Sequence, residues 1–437
     1  MRKIGIFLFA MGFVWSSAQK KWTLQECVDY AVKSNLQVRQ NEYNKTLQDA
    51  NLSIAKKEKL PSISANISNN AAFGTQLFAN QLVRNDNFNN NASIGANVLI
   101  YNNGRLEKTV RKTEFDVEAA KYDIETVKNN ISLQIVQEYL SVLLNKEIVK
   151  INRSTLENTE KQYLRAKLTT EAGTTPQTTL AEAEAAVARE KQNLKSAEVN
   201  VNQGLFNLAQ LLMLPDFKGF DIQDVNVESK MLPALGSAED VLEKAYENQP
   251  QIKAAESRIK SAETQTKIAK TAFWPTVSAS AGLGTVYFND FNSNTDADFF
   301  RQYSGNFGQQ LGLTANIPIF NKGITKLQVE QSKINEDISK NSLLQQKQEV
   351  RQNVQQAQFQ AESNFEIYTA ALEAEKSSGL ALDFAEKSYE AGKTSIYDLN
   401  TARNNYANAQ GNVAQAKFNY LFSLKLLDFY AGIPLGL

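Results

Sequence analysis

The sequence predicts a mainly α-helical chain carrying a membrane β-barrel, a trimeric α/β-barrel in which each protomer gives four strands and long antiparallel coiled-coil helices in two internal repeats. Three observations lead there: the chain is written twice, it holds two pairs of alternating strands, and its helical stretches are too long for an ordinary globule. Duplication comes first because it sets the units. The segment from Thr23, TLQECVDYAVKSNLQVRQNEYNKTLQDANLSIAKKEKLPSISA, matches the pattern of the segment from Ser237, SAEDVLEKAYENQPQIKAAESRIKSAETQTKIAKTAFWPTVSA, without a gap, and Pro61 falls on Pro275. Further on, ANVLIYNNG from Ala96 returns as ANIPIFNKG from Ala315, and EAG at Glu171 returns as EAG at Glu390.

The plan is then a first repeat over 19–215 (a helix, a β-hairpin at about 61–101, a long helix pair at about 104–213) and a second over 237–437 (a helix, a hairpin at about 275–320, a pair at about 323–430). Between them, 216–236 reads as a connector with a short strand at 222–227. Residues 1–18 read as a secretory signal peptide: basic Arg2 and Lys3, an apolar run to Trp15, then Ser16, Ser17 and Ala18. No other apolar run reaches the roughly 18 residues of a spanning helix, so membrane contact falls to strands or an amphipathic surface.

Composition excludes several classes. There is no histidine, which removes the commonest general base and transition-metal ligand and any Ser-His or Cys-His enzyme. With 47 basic and 47 acidic residues there is no global basic footprint for nucleic acid. No Walker loop, Rossmann glycine run or metal-ligand cluster is present, so neither enzymatic chemistry nor a cofactor is expected. The single cysteine, Cys27, forbids an internal disulfide; Leu24, Gln25 and Glu26 before it are unlike the small apolar residues of a lipidation site, and it reads as a core cysteine.

From Pro61, Ile63, Ala65 and Ile67 alternate with Ser62, Ser64, Asn66 and Ser68; Ala92, Ile94, Ala96, Val98 and Ile100 continue the pattern after an Asn-rich stretch over 74–91. Val277, Ala279, Ala281, Leu283 and Tyr287 are answered by Leu311, Leu313, Ala315, Ile317 and Ile319. This is the period of strands with one apolar and one small polar face. The few charges here, Arg84, Asp86, Asp290, Asp296, Asp298 and Arg301, are expected in loops. A soluble hairpin sandwich is the plainer reading, but uncharged strands with charge confined to loops suit an outer-membrane barrel. Four strands cannot close, and open edges are not tolerated in lipid, so the barrel must be shared between copies, about twelve strands for three.

After Gly104 no Gly or Pro occurs until Gly173, and after Gly323 only Gly379 interrupts the helical pattern up to Gly392. About 65 residues make a helix of roughly 100 Å. The return helices carry 3-4 seams: Leu180, Ala183, Val187, Glu190, Leu194, Ala197, Val201, Gly204, Leu208 and Leu211 in one, Leu399, Ala402, Tyr406, Ala409, Val413, Ala416, Tyr420, Ser423, Leu427 and Tyr430 in the other. Capping boxes are expected at Thr23 with Glu26 and at Ser237 with Asp240, and tight reversals at Gly173 and Gly392.

The duplicated plan, the Pro-initiated strands, the joints IYNNG and IFNKG, and above all YEAGKTSIYDLNTARNNYANAQ from Tyr389 make residues 22–434 resemble the TolC-like outer membrane efflux protein family. The resemblance implies a homotrimer: a twelve-stranded barrel in the outer membrane of a Gram-negative bacterium, continued by a twelve-helix periplasmic tunnel. It implies a passive duct coupled to an inner-membrane transporter of RND or ABC type through a periplasmic adaptor, with outer-membrane lipid and no nucleic acid as partners. By position, Gly173, Thr174, Thr175, Gly392 and Lys393 would form the tips against which an adaptor docks. Asp398 matches an acidic position that forms a carboxylate ring at the constriction in relatives; as a residue alone, it reads first as a cap on the return helix. Tyr389 is retained, whereas the second acidic position is Thr401, a latch arginine is Thr394 and a latch carboxylate is Thr179, shortly after Pro176. The closed state is therefore expected to rest on different or weaker contacts. A type I secretion outlet for polypeptides would use the same architecture. A periplasmic coiled-coil scaffold or adaptor would explain the helices but not the strands.

Overall fold

A computed structural model describes residues 21–78, 80–224, 238–292 and 298–433; the expected signal peptide and the capping residue Ser237 lie outside them. The first repeat opens with a short strand, Lys21–Trp22 (β1), and helix Leu24–Ser34 (α1). Thr23 sets the helix start: its hydroxyl accepts from the Glu26 amide at 3.2 Å while the Glu26 carboxylate accepts from the Thr23 amide at 3.0 Å. What the sequence presents as one opening helix is two. Asn35 adopts extended backbone and its Oδ1 accepts from the Gln37 amide at 2.7 Å, starting Leu36–Lys57 (α2) afresh, the local competition that makes asparagine a cap.

The strands follow as Ser62–Ala72 (β2), Thr75–Phe78 (β3), Gln81–Arg84 (β4) and Asn87–Tyr101 (β5). At the joint, Asn103 and Gly104 both take left-handed backbone, with φ of 53° and 69°, and turn the chain into Arg105–Glu171 (α3) and its return Gln177–Leu211 (α4). Asp221–Ile222 (β6) pairs in parallel with β1; the rest of the expected strand, from 225 on, lies outside the described residues.

The second repeat rebuilds the first. Ala238–Asn248 (α5) breaks at Gln249, the position matching Asn35, and Pro250 begins Pro250–Lys270 (α6), proline being suited to a first helical turn. Thr276–Asp290 (β7), a short helix Phe299–Gly305 (α7) and Gly308–Asn316 (β8) lead to a second left-handed pair, Lys322 and Gly323, then Ile324–Glu390 (α8) and Ile396–Tyr430 (α9). The long helices are 67 residues in both repeats and the return helices 35, so the duplication extends to element length.

β2, β5, β7 and β8 form one four-stranded antiparallel sheet in the order β2-β5-β7-β8. Directly paired residues share a face, which puts Ile63, Ala65 and Ile67 with Ala96, Ile94 and Ala92, then Ala281 and Leu283, then Leu311 and Leu313. Ser64, Asn66, Ser93, Gly95, Asn97, Ser280 and Gly282 take the other face. A register shift between Leu99 and Tyr101 brings Tyr101 opposite Val277, on the apolar face.

Three strand expectations need correction. β8 stops at Asn316, leaving Ile317 and Ile319 outside the sheet, because Pro318 cannot donate to a ladder and restricts the residue before it. The Asn-rich stretch holds the β3–β4 hairpin and the start of β5 instead of a plain loop; asparagine side chains pair across it, as in Asn90 with Asn69 at 2.6 Å. Arg84 therefore lies on β4 and Asp290 ends β7; charge is kept from the membrane-length part of the sheet, not from every strand.

The chain divides into two compact units that interleave the repeats: Met1–Gln40, Ile124–Gln249 and Lys347–Leu437 in one, Asn41–Asp123 and Pro250–Gln346 in the other. The second holds the sheet, and there α6 is tied to α3 by Arg258 on Asp123 at 2.6 Å and Ser261 on Asp116 at 2.5 Å. The first holds a core of Cys27, Ile135, Tyr139, Leu208, Leu212, Ile222 and Leu421. Cys27 is fully buried, and burial pushes its thiol up to about 12, so it is an inert core residue. The Tyr139 hydroxyl reaches the carbonyls of Gln223 at 2.8 Å and Trp22 at 3.2 Å, fastening β1 and β6 to α3. No helix of the described residues is long and apolar enough to cross a membrane.

Most of each seam is buried, Ala183, Val187, Glu190, Ala197, Gly204 and Leu208 of α4 and Leu399, Ala409, Ala416, Tyr420, Ser423, Leu427 and Tyr430 of α9; Leu180, Leu194, Val201 and Leu211 of α4 and Ala402, Tyr406 and Val413 of α9 are half-buried. At Gly204 α4 packs tightly on α3, since a Cβ there would lie 3.0 Å from Val142 Cγ2. Gly204→Val is expected to destabilise the protein by about 1–3 kcal/mol through overpacking, read as a lower unfolding temperature of the detergent-solubilised protein. An unchanged temperature would mean that the two helices separate at little cost.

Candidate functional site

The tips are two reversals built to one backbone plan with different side chains. Gly173 and Gly392 have φ of 73° and 71°, the left-handed conformation in which a side chain is strained. In the first tip the amide of Thr174 donates to Thr169 O at 2.9 Å and that of Gly173 to Thr170 O at 3.0 Å; in the second, Lys393 donates to Ser388 O at 2.9 Å and Gly392 to Tyr389 O at 3.0 Å. This 6→1 and 5→2 pair satisfies the last carbonyls of α3 and α8.

The return helices start differently. α4 begins after Pro176, whose side chain cannot cap, and its tip is held by threonines: Thr175 Oγ1 lies 3.0 Å from Thr169 Oγ1 and 2.9 Å from Thr170 Oγ1, and Thr174 Oγ1 donates to Thr169 O at 2.8 Å. α9 begins with a full capping box. Asp398 N donates to Ser395 Oγ at 3.1 Å, while Asp398 Oδ2 accepts from Ser395 Oγ at 2.7 Å, Thr394 Oγ1 at 3.0 Å and Ser395 N at 3.3 Å. Those bonds, the Ser395 hydroxyl's first and then Thr394's, hold the Asp398 carboxyl below the usual aspartate range.

Of the positions singled out in the sequence, Asp398 and Thr394 are thus brought together, and Lys393, Gly392, Gly173 and Thr174 stand exposed at the reversals. Tyr389 packs with Tyr163 against a small apolar cluster of Ala166, Ala183 and Ile396, which joins α3, α4 and α9 just inside the tips. Thr401 turns its hydroxyl to Tyr397 O at 2.9 Å on its own helix, and the Thr179 amide donates to Pro176 O at 3.1 Å. Neither joins Asp398.

Four charged residues near the tips escaped the sequence reading. Arg165 Nη1 lies 3.3 Å from Glu390 Oε1, an exposed link between the first and second tips. Arg403 is 5% exposed, with Nη2 donating to Glu386 Oε1 at 3.1 Å and Nη1 without a hydrogen-bond partner among the described residues. The only signal in the sequence was an arginine beside the seam position Ala402. Its meaning depends on Glu386, which is reached across the reversal. No group of His, Cys, Asp or Glu among the described residues could hold a metal ion.

The fold and these tips define a class of protein: a sheet of membrane length with unpaired edges, joined to long helical hairpins that end in compact, chemically simple reversals. The family model described as outer membrane efflux protein matches residues 28–212 and 241–432, and the chain belongs to that family. It is an outer-membrane efflux channel protein of Gram-negative type, without enzymatic chemistry. It is 23% identical over 407 residues to the outer membrane efflux protein BepC of Brucella suis biovar 1, covering 90% of this chain and 82% of that one. Over 229 residues it is 25% identical to the pyoverdine export outer membrane protein OpmQ of Pseudomonas aeruginosa, a match to 52% of this chain but only 46% of that one. The fold is that of CusC, whose crystal structure aligns with a TM-score of 0.77 at 18% identity over 94% of this chain and 92% of CusC. Family homologues are trimeric channels.

Two outcomes follow from the tip geometry. Because the Asp398 carboxyl is depressed, its cap is fully present above the unfolded-state pKa and is lost as pH falls through the folded one. The protection factors of the amides at 395–399, exchange being referred to the intrinsic rate at each pH, should fall on acidification through that range in wild type and be low at every pH in Asp398→Ala. Glu386→Ala strands a buried cation and should cost about 1 kcal/mol or more, the half-exposed carboxylate discounting the full penalty of a buried pair, whereas Arg403→Met removes the cation and should cost less. Thermal unfolding of the two variants checks this order.

Proposed function

We propose that three copies of this chain share one barrel and form the outer-membrane exit duct of a tripartite efflux system, passive in itself and driven by an inner-membrane transporter through a periplasmic adaptor. The observation that carries this is the sheet: an apolar exposed face, a small polar face, and two edges, β2 and β8, each paired on one side only. Unpaired backbone is not sustained in hydrocarbon, so β8 of one copy meets β2 of the next until the ring closes. Three sheets of four give about twelve strands, within the size range of such barrels.

The exposed apolar stripe of α2, Leu36, Tyr43, Leu47 and Ile54, runs at heptad spacing and supports the same assembly. The tips, Gly173 with Thr174 and Thr175 and Gly392 with Lys393, are the surface offered to the adaptor. Asp398, Tyr389, Thr394, Thr401 and Thr179 form the gate region. Three Asp398 carboxylates around one axis would favour cations, and the low pKa keeps each charged at neutral pH. The similarity to OpmQ, named for pyoverdine export, and to the efflux protein BepC supports small-molecule cargo.

The test is the detergent-extracted mature protein from outer membranes, sized by mass and inserted in planar bilayers. A trimer with cation-preferring conductance is expected, with that preference reduced in Asp398→Asn. A soluble monomer in the periplasm would overturn the shared barrel; an Asp398→Asn channel of unchanged preference would remove Asp398 from the conduction path.

A further inference from the structure

The connection between β7 and β8 contains α7, and its placement is unusual for a loop. β8 begins at Gly308, opposite Gly284, so the last residues of β7 run on without a partner on that side. Side chains of the connection take over the pairing. Gln302 Oε1 accepts from the Phe288 amide at 2.9 Å and its Nε2 donates to Phe288 O at 3.0 Å, while Asn306 Nδ2 donates to Val286 O at 2.7 Å.

From that edge the helix leans over one face of the sheet, the apolar one. Thr285 Oγ1 donates to Tyr303 O at 2.7 Å, the Tyr303 hydroxyl bonds Asn90 Oδ1, and the Phe299 ring lies 5.0 Å from Tyr287. Thr285, Tyr287 and Asn90 all belong to the face that carries Ile94 and Leu283. Phe88, Tyr287, Phe299 and Tyr303 thus form a continuous aromatic group at one end of that face. Phe300, edge-on to Phe299 at 5.5 Å, is 81% exposed.

The height fits a membrane boundary. Tyr101 and Val277 mark the helix-side end of the apolar face, and from Val277 to Tyr287 is ten residues of β7. Ten residues rise about 33 Å along a strand, or about 25 Å at the tilt of a membrane barrel, the height of the apolar band between aromatic girdles. We propose that α7 is an interfacial ledge that seats Phe300 at the headgroup–acyl boundary of the outer leaflet and so fixes the barrel's depth. The partner surface is lipid: the ledge continues the apolar face that meets the bilayer, and an amphipathic ring is most stable at that boundary. This rests on the outer-membrane reading above.

A nitroxide at Phe300→Cys in full-length protein reconstituted in vesicles tests it; the native Cys27 is fully buried and stays unlabelled. Collision with oxygen, which concentrates in lipid, is compared with collision with a water-soluble nickel chelate. Leu311→Cys on the apolar face is the lipid reference and Leu82→Cys on β4 the aqueous one. The expected oxygen-to-nickel ratio at position 300 is about threefold or more above that at 82 and below that at 311, as for a side chain at the interface. A ratio equal to that at 82, with 311 in lipid, overturns the ledge alone. If 311 is aqueous too, the membrane reading of the face falls and the ledge with it. Shielding of 300 from both reagents means that a neighbouring copy covers it, which also overturns the proposal.

Discussion

Hydrogen bonding of backbone in hydrocarbon governs this chain. β2 is paired along its whole length with β5, and β5 against β7 joins the two repeats into a single antiparallel sheet, whereas β8 serves β7 only as far as Gly284; β2 and β8 each keep one unpaired side. Water can satisfy such edges; acyl chains cannot, and the cost of several kcal/mol for each unsatisfied group is what the closure with other copies proposed above relieves. The rest of the molecule follows from that requirement. Two hairpins must arrive in the same sheet, in register, from positions far apart in sequence. The duplication provides them, each with its own helix pair of the same length.

The same need for complete pairing shapes the details. Before β8 begins at Gly308, Gln302 and Asn306 serve the β7 backbone in its place, and Pro318 marks where the strand can no longer be continued. At the joints, paired left-handed residues, Asn103 with Gly104 and Lys322 with Gly323, turn the chain into the long helices. At the tips, the Schellman bonds close the long helices identically in both repeats. The backbone of the duplication is thus kept even where the side chains have drifted apart.

At the second tip, electrostatics and capping meet in one residue. Asp398 is an exposed carboxylate and also the closing member of a capping box with Ser395 and Thr394. The two roles support each other: the bonds that cap α9 also keep the carboxyl ionised. The first tip has no acid in that place and holds itself with threonine hydroxyls instead. Quasi-equivalent tips therefore differ in charge, and adjoining residues, Arg165 with Glu390 and Arg403 with Glu386, add ion pairs around them.

Much of this was legible in the sequence, because it depends on short-range periodicity. Alternation named the strands and their apolar face, 3-4 spacing named the buried seams, Gly173 and Gly392 named the reversals, and Thr23 with Glu26 named a helix start; each signal acts over a few residues, and tertiary contacts reinforced it. Other features depended on residues that meet only after folding. The sheet order, the substitution of Gln302 and Asn306 for a missing strand, the α7 ledge over the apolar face and the burial of Arg403 against Glu386 leave no local periodic trace, since a side chain's partner across a reversal or a sheet edge is chosen by three-dimensional proximity. By itself the sequence determined the repeated plan, the membrane strands and the helix lengths, which are properties of chain periodicity. The tertiary structure alone decided how the edges are served and which charges pair, because those are set by distances between segments that the sequence leaves far apart.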